Sequence, residues 1–474
     1  MTKQEEGRRP QRRRKGKAGN GFVDTLVKLI QSIQQHRIVK SDVQGLVIVT
    51  FALVVIGVLN VYSATFAKNI SRGAFIFGDV LKYIGFVLVA TSIAAFVYHY
   101  DYRKLAKPNS KTLTYIVGAV ILSLIALMGI GTVVNGARRW IMLGPVSIQP
   151  SEFAKLAAIL WASVKLVQHP WKPTFRQPRR GEGGDPIQTH PVDRFVIYLA
   201  KTLWPMIIMF GLVLLQPDMG TAVLIIAFPF LLMLMAGLDF HWVLRVIPPV
   251  VVLGAIFVGI SPYRLERVMT IIDPWSHAST SGYQTVQGLI AIGSGGFLGS
   301  GFGNGTSKFF YLPEAHTDFA FAVWAQEQGF VGALLIVLLF ASMGFFGFRI
   351  AYKANDYLGS LIATGCTMLL LGQAAINMFM VCGWFPVTGV PLPFVSYGGS
   401  ALVVNMIAIA LIANVGKRDA LIPKLGKEIV GTSHVEAMRK SVKAQEKSKL
   451  RKGTEPRRTE SKGAQTPRFR PPKS

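Results

Sequence analysis

A cluster of ionisable side chains stands directly before one of the longest apolar segments of the chain. Glu314, His316 and Asp318 alternate within Pro-Glu-Ala-His-Thr-Asp, and the apolar segment begins at Phe319. A carboxylate at a membrane boundary loses hydration, which raises its pKa and suits it to general-base catalysis. An N-cap at the start of the following helix is the structural alternative for Asp318. The spacing E-x-H-x-D with a single His matches no common zinc pattern, so we expect no fixed metal here.

Two pairs of arginines form a second group of candidates. Arg138 and Arg139 precede Trp140, and Arg264 and Arg267 follow the seventh apolar segment. A guanidinium group suits bidentate contact with phosphate oxygens, so each pair is a candidate site for a pyrophosphate. Contact with phospholipid headgroups is the alternative for both pairs.

A third group lies at the start of two other apolar segments. Glu152 and Lys155 are three residues apart, so on a helix they share one face and can form an ion pair. That pair either is structural or lines a polar cavity where it orients a substrate. Ser151 is predicted as the N-cap of the fourth membrane helix, and Asp218 as the N-cap of the sixth.

The distribution of apolar residues predicts an all-α polytopic membrane protein. Of the 474 residues, 51% are hydrophobic, and the mean hydropathy is +0.41. Segments of roughly 17–25 apolar residues are long enough to span a bilayer as helices. Ten such segments lie near residues 43–63, 80–98, 113–131, 151–167, 202–216, 220–236, 244–261, 319–348, 358–381 and 401–415.

The net charge of +27 is concentrated at the two ends of the chain. Residues 1–42 hold 11 Lys/Arg against 4 Asp/Glu, and residues 417–474 hold 17 against 6. Because basic segments stay in the cytoplasm, both tails are predicted to be cytoplasmic, in agreement with an even number of spans. Beside a membrane, such tails are expected to bind anionic lipids rather than nucleic acid. The two cysteines suggest neither a disulfide framework nor a metal site.

Three regions follow from these patterns. Residues 1–42 are predicted as a basic cytoplasmic tail, in which apolar residues at helical spacing from Phe22 to Ile33 indicate an amphipathic helix on the membrane surface. Residues 43–416 form the membrane domain, and residues 417–474 a polar basic tail without stable structure.

The predicted topology places the motif-like segments on one face of the membrane. With the N-terminus inside, the predicted outer segments are 132–150, 216–218, 262–318 and 382–400. The segment 262–318 is a large loop between the seventh and eighth predicted membrane helices. The cytoplasmic face offers mainly basic linkers. Whatever chemistry the chain performs is therefore expected at the outer leaflet.

Five motifs together carry a resemblance to a known family. The chain contains, in this order, RRWI-x-LGP-x₃-QPSE-x-AKL, QPD-x-GTA, GYQ-x₂-Q-x₃-AIGSGG, YLPEAHTDF and PVTG-x-PLPFVSYGGS. In these motifs the chain resembles the SEDS family (shape, elongation, division and sporulation) of FtsW/RodA peptidoglycan polymerases, over about residues 40–418. PEAHTDF and the long basic N-terminal tail resemble the division branch, FtsW. Thr388, where many division-type sequences have Lys, resembles the elongation branch, RodA. The division branch is favoured.

The resemblance implies an activity and roles for the candidate residues. It implies an inverting glycosyltransferase of the bacterial cytoplasmic membrane that polymerises lipid II, with undecaprenyl pyrophosphate as the leaving group. Asp318 corresponds to the essential aspartate of the family and would be the general base. Glu152 and Lys155 correspond to the QPSE-x-AK pair, while Glu314 and His316 would support Asp318.

The resemblance also implies partners for the chain. A class B penicillin-binding protein, a transpeptidase, would crosslink the product, alongside other divisome or elongasome membrane proteins. No tightly bound cofactor is expected. A divalent cation, Mg or Mn, is a candidate for helping to stabilise the leaving pyrophosphate.

Two other functional classes stay open at the level of sequence. The first is a flippase for lipid-linked precursors, which needs a polar path open alternately to both faces of the membrane. The charged residues within the predicted spans cluster on the outer side, and the sequence shows no clear inverted repeat, which disfavours transport. The second is a non-catalytic scaffold whose basic tails recruit division or elongation proteins.

Overall fold

The computed structural model describes residues 21–421, apart from 72, 74, 108–109, 135–136, 145, 172–190 and 310. Within these ranges the chain forms twelve α-helices and a small antiparallel sheet. The helices are α1 (Gly21–Ser71), α2 (Gly78–His99), α3 (Thr112–Ile130), α4 (Pro150–Gln168), α5 (Pro191–Leu215), α6 (Met219–Met235), α7 (Phe240–Gly259), α8 (Pro262–Ile272), α9 (Tyr283–Gly295), α10 (Ala320–Lys353), α11 (Tyr357–Val381) and α12 (Gly399–Leu421). The strands are β1 (Thr132–Val134), β2 (Ala137–Leu143) and β3 (Val146–Ile148).

Helices occupy all ten predicted spans, which confirms a mostly helical polytopic membrane protein. Among the described residues, seven helices are long and apolar enough to cross a membrane: α1, α2, α3, α5, α10, α11 and α12. The apolar helix α6 is shorter, as is the apolar stretch Phe240–Ile256 of α7. Helix α4 carries Glu152, Lys155 and Lys165. The number of ten spans and the sidedness predicted from the basic tails stay predictions.

The N-terminal region differs from the expected separate amphipathic helix. Residues 21–40 are helical but continue without interruption into the first span, giving one helix of 51 residues. Their side chains lie outside the described part of the chain, as do residues 1–20 and 422–474. The position of this helix on the membrane surface, the lipid-binding role of the tails and the three domain boundaries therefore stay predictions.

Helix α4 lies at the centre of the bundle, in contact with α3, α5, α6, α11 and α12. Its residues Ala154, Ala157, Ala158 and Ala162 are buried, and such small side chains let neighbouring helices approach closely. By contrast, large apolar side chains such as Phe51 and Leu88 are 69% and 64% exposed. Exposed apolar side chains of this kind are expected on the lipid-facing surface of a membrane bundle.

The segments that were predicted to share one face of the membrane do meet at one end of the bundle, which we term the loop end. Arg139 contacts the carbonyl of Gln216, and Arg267 contacts that of Val387. The backbone nitrogen of Gln149 donates to Ser400 Oγ at 2.9 Å. The four segments 132–150, 216–218, 262–318 and 382–400 are thus tied together by hydrogen bonds and close contacts at the loop end.

The sheet at the loop end was not predicted from the sequence. Strand β2 pairs with β1 on one side and with β3 on the other, both antiparallel, and the turn between β2 and β3 contains Gly144 at φ 63°. Strands β1 and β3, with three residues each, are too short to show an alternating pattern of apolar and polar residues, and the seven residues of β2 (ARRWIML) do not alternate. The sheet presents Arg138 and Arg139 on its longest strand.

Helix α10 is broken near its beginning, at Gly329, whose φ of 64° and ψ of −163° are not helical. The break frees backbone groups that must find other partners, because unpaired groups within a bilayer cost several kcal/mol each. The glycine-rich loop after α9 supplies those partners. Its Ser300 and Gly301 nitrogens donate to the carbonyls of Gln326 and Glu327, both at 3.0 Å. In the other direction, the Phe330 nitrogen donates to the carbonyl of Gly296 at 2.9 Å.

Replacing Gly329 with Ala should destabilise the protein strongly. The residue has a backbone conformation that only glycine adopts readily, and a Cβ there would lie 2.3 Å from the Gly299 nitrogen. Strain of this kind costs about 1–3 kcal/mol before any clash is counted. Gly254→Ala in α7, where a Cβ meets nothing within 4 Å, is the matched control. Thermal unfolding in detergent should show a lower Tm for Gly329→Ala alone. Equal Tm values for the two variants would contradict the close packing of Gly329 against Gly299.

Candidate active site

The loop before α10 holds Asp318 by its backbone and leaves its carboxylate outside the helix cap. Glu314 has φ 52°, and its carbonyl accepts hydrogen bonds from the nitrogens of Thr317 (3.1 Å) and Phe319 (3.2 Å), which makes a tight turn. The carbonyl of Asp318 accepts a hydrogen bond from Asn377 Nδ2 on α11 at 2.8 Å. Phe319 is the N-cap residue of α10, with no side-chain cap. The N-cap alternative for Asp318 therefore does not hold.

Three further polypeptide segments surround the half-buried Asp318 side chain. The backbone of Gly389 lies so close that a Cβ there would be 3.4 Å from Asp318 Oδ2. His316, next but one in sequence, accepts a hydrogen bond from the Tyr397 nitrogen through its carbonyl, and its ring lies 6.0 Å from that of Tyr397. Asp218 and Arg139, from two other segments, are close enough to act electrostatically on Asp318.

The electrostatic environment raises the pKa of Asp318 from its ordinary value of 3.8 to about 7. Loss of hydration on burial is the largest cause, followed by the negative charges of Glu314 and Asp218. Arg139 and Arg267 act in the opposite direction. A carboxyl group with a pKa near neutrality can accept a proton in a reaction and release it again, as a general base must.

The four predicted arginines differ in their relation to Asp318. Arg139 and Arg267 lower its pKa and therefore lie near it. Arg139 donates through Nε to the carbonyl of Gln216 at 3.3 Å and through Nη2 to that of Pro217. Arg267 Nη1 donates to the carbonyl of Val387 at 2.6 Å. Arg138 instead donates to the carbonyl of Met128 at the end of α3. Arg264, on α8, is half-buried.

Asp218 both caps α6 and contacts the beginning of α4, and the sequence favoured only the capping role. Its Oδ1 accepts a hydrogen bond from the Thr221 nitrogen at 3.3 Å, so the predicted N-cap of α6 is observed. Its Oδ2 lies 3.4 Å from Gln149 Nε2 and 3.5 Å from Ser151 Oγ. Because Asp218 also raises the pKa of Asp318, it belongs to the same site.

Glu152 and Lys155 form the predicted ion pair on α4, with 2.7 Å between Lys155 Nζ and Glu152 Oε1. Both side chains are almost fully buried. Glu152 Oε2 has no hydrogen-bond partner within the described part of the chain. The prediction that Ser151 caps this helix is wrong, because Gln149 is the N-cap and Pro150 takes the first helical position.

Another buried ion pair near the site was missed from the sequence. Lys308 Nζ lies 2.9 Å from Glu327 Oε1, and both side chains are buried. The signal was available, because Glu327 is a charged residue inside an apolar segment, where charges are rare and expensive. Asn60 was also missed; its Nδ2 on α1 donates to the carbonyl of Ala320 at 2.9 Å.

Three or more His, Cys, Asp or Glu side chains do not come together anywhere in the described ranges in a way that would hold a metal ion. In particular, Glu314, His316 and Asp318 do not form such a group. Among the described residues, the donor set around Asp318 therefore does not fit a resident metal centre.

The fold and site define an integral membrane protein with a carboxylate of raised pKa among loops at one end of its helical bundle. The FtsW/RodA/SpoVE family model, described as cell cycle protein, matches residues 44–420. The chain belongs to this family, the SEDS family of bacterial membrane proteins.

Named relatives of similar length include two proteins of the division branch and one sporulation protein. The chain is 36% identical to a probable peptidoglycan glycosyltransferase FtsW of Coxiella burnetii, over 78% of this chain and 95% of the relative. It is 34% identical to the corresponding protein of Legionella pneumophila, over 77% and 88%. Stage V sporulation protein E of Bacillus subtilis is 35% identical, over 78% and 96%.

Two solved structures share the fold. A chain of a peptidoglycan synthase complex that coordinates polymerization and crosslinking matches with TM-score 0.63 and 27% identity, over 79% of this chain and 98% of that one. RodA, the rod shape determining protein of Thermus thermophilus, matches with TM-score 0.52 and 25% identity, over 80% and 97%. The FtsW-type relatives, at 34–36% identity, favour the division branch over RodA despite Thr388.

Ionising Asp318 should cost stability, so Asp318→Asn should raise the Tm at alkaline pH. The pKa of Asp318 is about 7 in the folded protein and takes its ordinary value of 3.8 in the unfolded chain. The contribution of Asp318 to the free energy of unfolding is therefore complete below about pH 3.8 and is lost as the pH rises through 7. At pH 8 the Asn variant should melt higher than the wild type by roughly a few degrees, and the gap should narrow by pH 5.5.

The control for this measurement is Asp239→Asn, at an exposed carboxylate whose side chain makes no capping hydrogen bond. It should leave the Tm unchanged at both pH values. A gap between wild type and Asp318→Asn that is constant with pH would show that Asp318 titrates normally.

Proposed function

We propose that this protein is a peptidoglycan glycosyltransferase that polymerises lipid II into glycan strands at the outer face of the bacterial cytoplasmic membrane. The observation that carries the proposal is Asp318, a half-buried carboxyl group with a pKa of about 7 at the loop end of a membrane bundle. The names of the relatives support the same reaction class. Their FtsW type supports a role in septal wall synthesis during division.

Asp318 acts in this proposal as the general base. Its carboxylate takes the proton of the GlcNAc 4-hydroxyl of the acceptor, and that oxygen attacks the anomeric carbon of MurNAc in the donor. A new C–O glycosidic bond forms while the bond from the anomeric carbon to the pyrophosphate oxygen breaks. Undecaprenyl pyrophosphate leaves with the electron pair, and the configuration inverts. The raised pKa suits the base to neutral pH, because a general base is most effective when its pKa lies near the operating pH.

Arg139 and Arg267 stabilise the pyrophosphate as negative charge develops on it. Both lie near Asp318, and hydrogen bonds to the carbonyls of Gln216 and Val387 hold their guanidinium groups at the loop end. A guanidinium group presents five N–H donors in a planar fork, a geometry that matches the oxygens of a phosphate group. Arg138 and Arg264 contribute to the field at the same end of the bundle, and lipid headgroups are the alternative ligands for these two.

The remaining predicted residues support the base. Glu314 raises the pKa of Asp318, and the backbone of His316 ties the loop to Tyr397. Glu152 and Lys155 form their buried ion pair near the beginning of α4, a few residues from the contact between Gln149 and Asp218. A divalent cation enters the proposal only as a ligand of the substrate pyrophosphate, since Mg²⁺ usually binds through substrate phosphates with one or two carboxylates. No step is assigned to it.

The partners follow from the reaction. A polymerase of glycan strands needs a class B penicillin-binding protein, a transpeptidase, to crosslink its product. The similarity to a chain of a synthase complex that coordinates polymerization and crosslinking supports this pairing. Other divisome membrane proteins, and anionic lipids at the basic tails, complete the proposed surroundings at the septum.

The first test is polymerisation of purified lipid II by the protein with its cognate transpeptidase, wild type against Asp318→Asn. The wild type should form glycan polymer with an activity that rises around pH 7, because only the ionised carboxylate accepts a proton. The variant, which cannot accept one, should lose at least a hundredfold in kcat.

Each alternative function predicts a different result. Polymer at the wild-type rate from folded Asp318→Asn protein would refute the assignment of the base. Scrambling of lipid II in vesicles without polymer would support a flippase, and neither activity would support a scaffold.

The second test moves the pH dependence in a known direction. Glu314→Gln removes a negative charge that raises the pKa of Asp318, so the inflection of kcat against pH should fall by a few tenths of a unit to about one unit. Glu266→Gln, an exposed glutamate in the same loop region, is the control and should leave the inflection near 7. If the inflection pH of kcat is unchanged or higher in Glu314→Gln, a group other than Asp318 controls the rate.

A further inference from the structure

The ion pair between Lys308 and Glu327 has no part in the chemistry described above. Lys308 Nζ lies 2.9 Å from Glu327 Oε1, and the two side chains are only 1% and 2% exposed. Two buried charges are expensive unless their remaining hydrogen-bonding capacity is satisfied. The contacts around this pair meet that demand, and they involve three separate segments of the chain.

The contacts join the pair to α1 and to the glycine-rich loop. Lys308 Nζ also donates to the carbonyl of Gly303 (2.6 Å) and to Ser63 Oγ on α1 (2.9 Å). Glu327 Oε1 accepts from Ser63 Oγ at 2.5 Å, and Oε2 accepts from the Gly303 nitrogen at 3.1 Å. Every polar atom of both charged groups therefore has a partner.

The position of the pair in the chain relates it to Asp318. Lys308 precedes Asp318 by ten residues, and Glu327 follows it by nine. The ion pair thus joins the two ends of the segment 308–327, which carries Asp318 near its middle. Linking the ends of a segment removes conformational freedom from everything between them.

The break in α10 explains why this segment needs such a link. Because Gly329 interrupts the helix, residues 320–328 form a short helical piece whose backbone does not continue in helical geometry into the long part of α10. Two single hydrogen bonds also hold this region, from Asn377 to the Asp318 carbonyl and from Asn60 to the Ala320 carbonyl. The ion pair of Lys308 and Glu327 adds a charged contact that holds the same segment, residues 308–327.

We propose that Lys308 and Glu327 are positioning residues for the catalytic base: their buried ion pair, completed by Ser63 and Gly303, fixes the segment 308–327 so that Asp318 stays at its place among the loops. This inference rests on the proposed function for its kinetic consequence. Neither residue touches the reacting atoms, so their loss should lower kcat and leave KM nearly unchanged.

Removing the two charges together separates positioning from stability. Lys308→Met or Glu327→Gln alone leaves an uncompensated buried charge and should lower the Tm markedly. The double variant Lys308→Met/Glu327→Gln contains no such charge, so its Tm should recover most of that loss. Its kcat should nevertheless stay at least tenfold below the wild type, because a catalytic group displaced by about 1 Å can lose a hundredfold in rate.

Two further readouts report on Asp318 itself. In the double variant, backbone amides of residues 311–320 should exchange hydrogen faster than in the wild type. A loosened loop also admits water to Asp318, so the inflection of kcat against pH should move from about 7 toward lower values. Ser63→Ala removes one partner of the pair without leaving a bare charge and should show the same changes to a smaller degree.

Lys353→Met is the matched control, because Lys353 pairs with the buried Asp42 at 2.7 Å at the opposite end of α10. It should lower the Tm without changing the exchange of residues 311–320 or kcat. A double variant with wild-type kcat and wild-type exchange would overturn the proposal and leave the glycosyltransferase function standing. Failure of the wild type to polymerise lipid II would refute that function instead, while the exchange measurement still tests the positioning.

Discussion

The loop end of this protein depends on one constraint: a helix interrupted near a membrane must pair the backbone groups that the interruption frees. Gly329 interrupts α10, and the loop after α9 donates to the freed carbonyls of Gln326 and Glu327. The approach is so close that a Cβ on Gly299 would lie 2.1 Å from the carbonyl oxygen of Glu327. Glycine at both positions is therefore a condition for the two segments to pair, and the glycine-rich composition of the loop follows from it.

The interruption in turn shapes the candidate active site. It separates a short helical piece, residues 320–328, from the long part of α10, and Asp318 stands just before that piece. Charged groups from three of the four loop-end segments then surround Asp318, with Asp218 and Glu314 as anions and Arg139 and Arg267 as cations. Because anions and cations act in opposite directions, burial decides the balance, and the pKa settles near neutrality.

The sequence predicts much of this arrangement and misses a definable part. Apolar segments of spanning length locate the helices, because the bilayer imposes a length on them. The rule that basic segments stay inside places the motif-bearing segments on one face, and these do meet at one end of the bundle. A charged cluster beside a span singles out Asp318. The spans, the shared face of the motif-bearing segments and the cluster at Asp318 all depend on local patterns of residues, so they can be predicted from the sequence.

The missed features depend on contacts between distant residues. In the small sheet, β1 and β3 are too short to show a period and the residues of β2 do not alternate between apolar and polar. The break at Gly329 lies inside a continuous apolar segment and depends on the loop after α9. The pairing of Lys308 with Glu327 needs Ser63, some 245 residues away, to complete it. The two N-cap predictions differ in outcome because of their neighbouring residues. Ser151 does not cap α4, because Pro150 takes the first helical position and Gln149 becomes the N-cap, whereas Asp218 caps α6 as predicted.

Rigidity and basicity at Asp318 have the same physical origin. The carboxyl group is a good base at neutral pH because few water molecules reach it, and water is excluded only while the surrounding segments stay in place. Hydrogen bonds from Asn377 and Asn60, together with the ion pair of Lys308, hold those segments to α11, α1 and each other. A looser loop end would hydrate Asp318 and lower its pKa toward that of an ordinary aspartate. The buried polar contacts of the loop end therefore maintain the protonation behaviour that general-base catalysis requires.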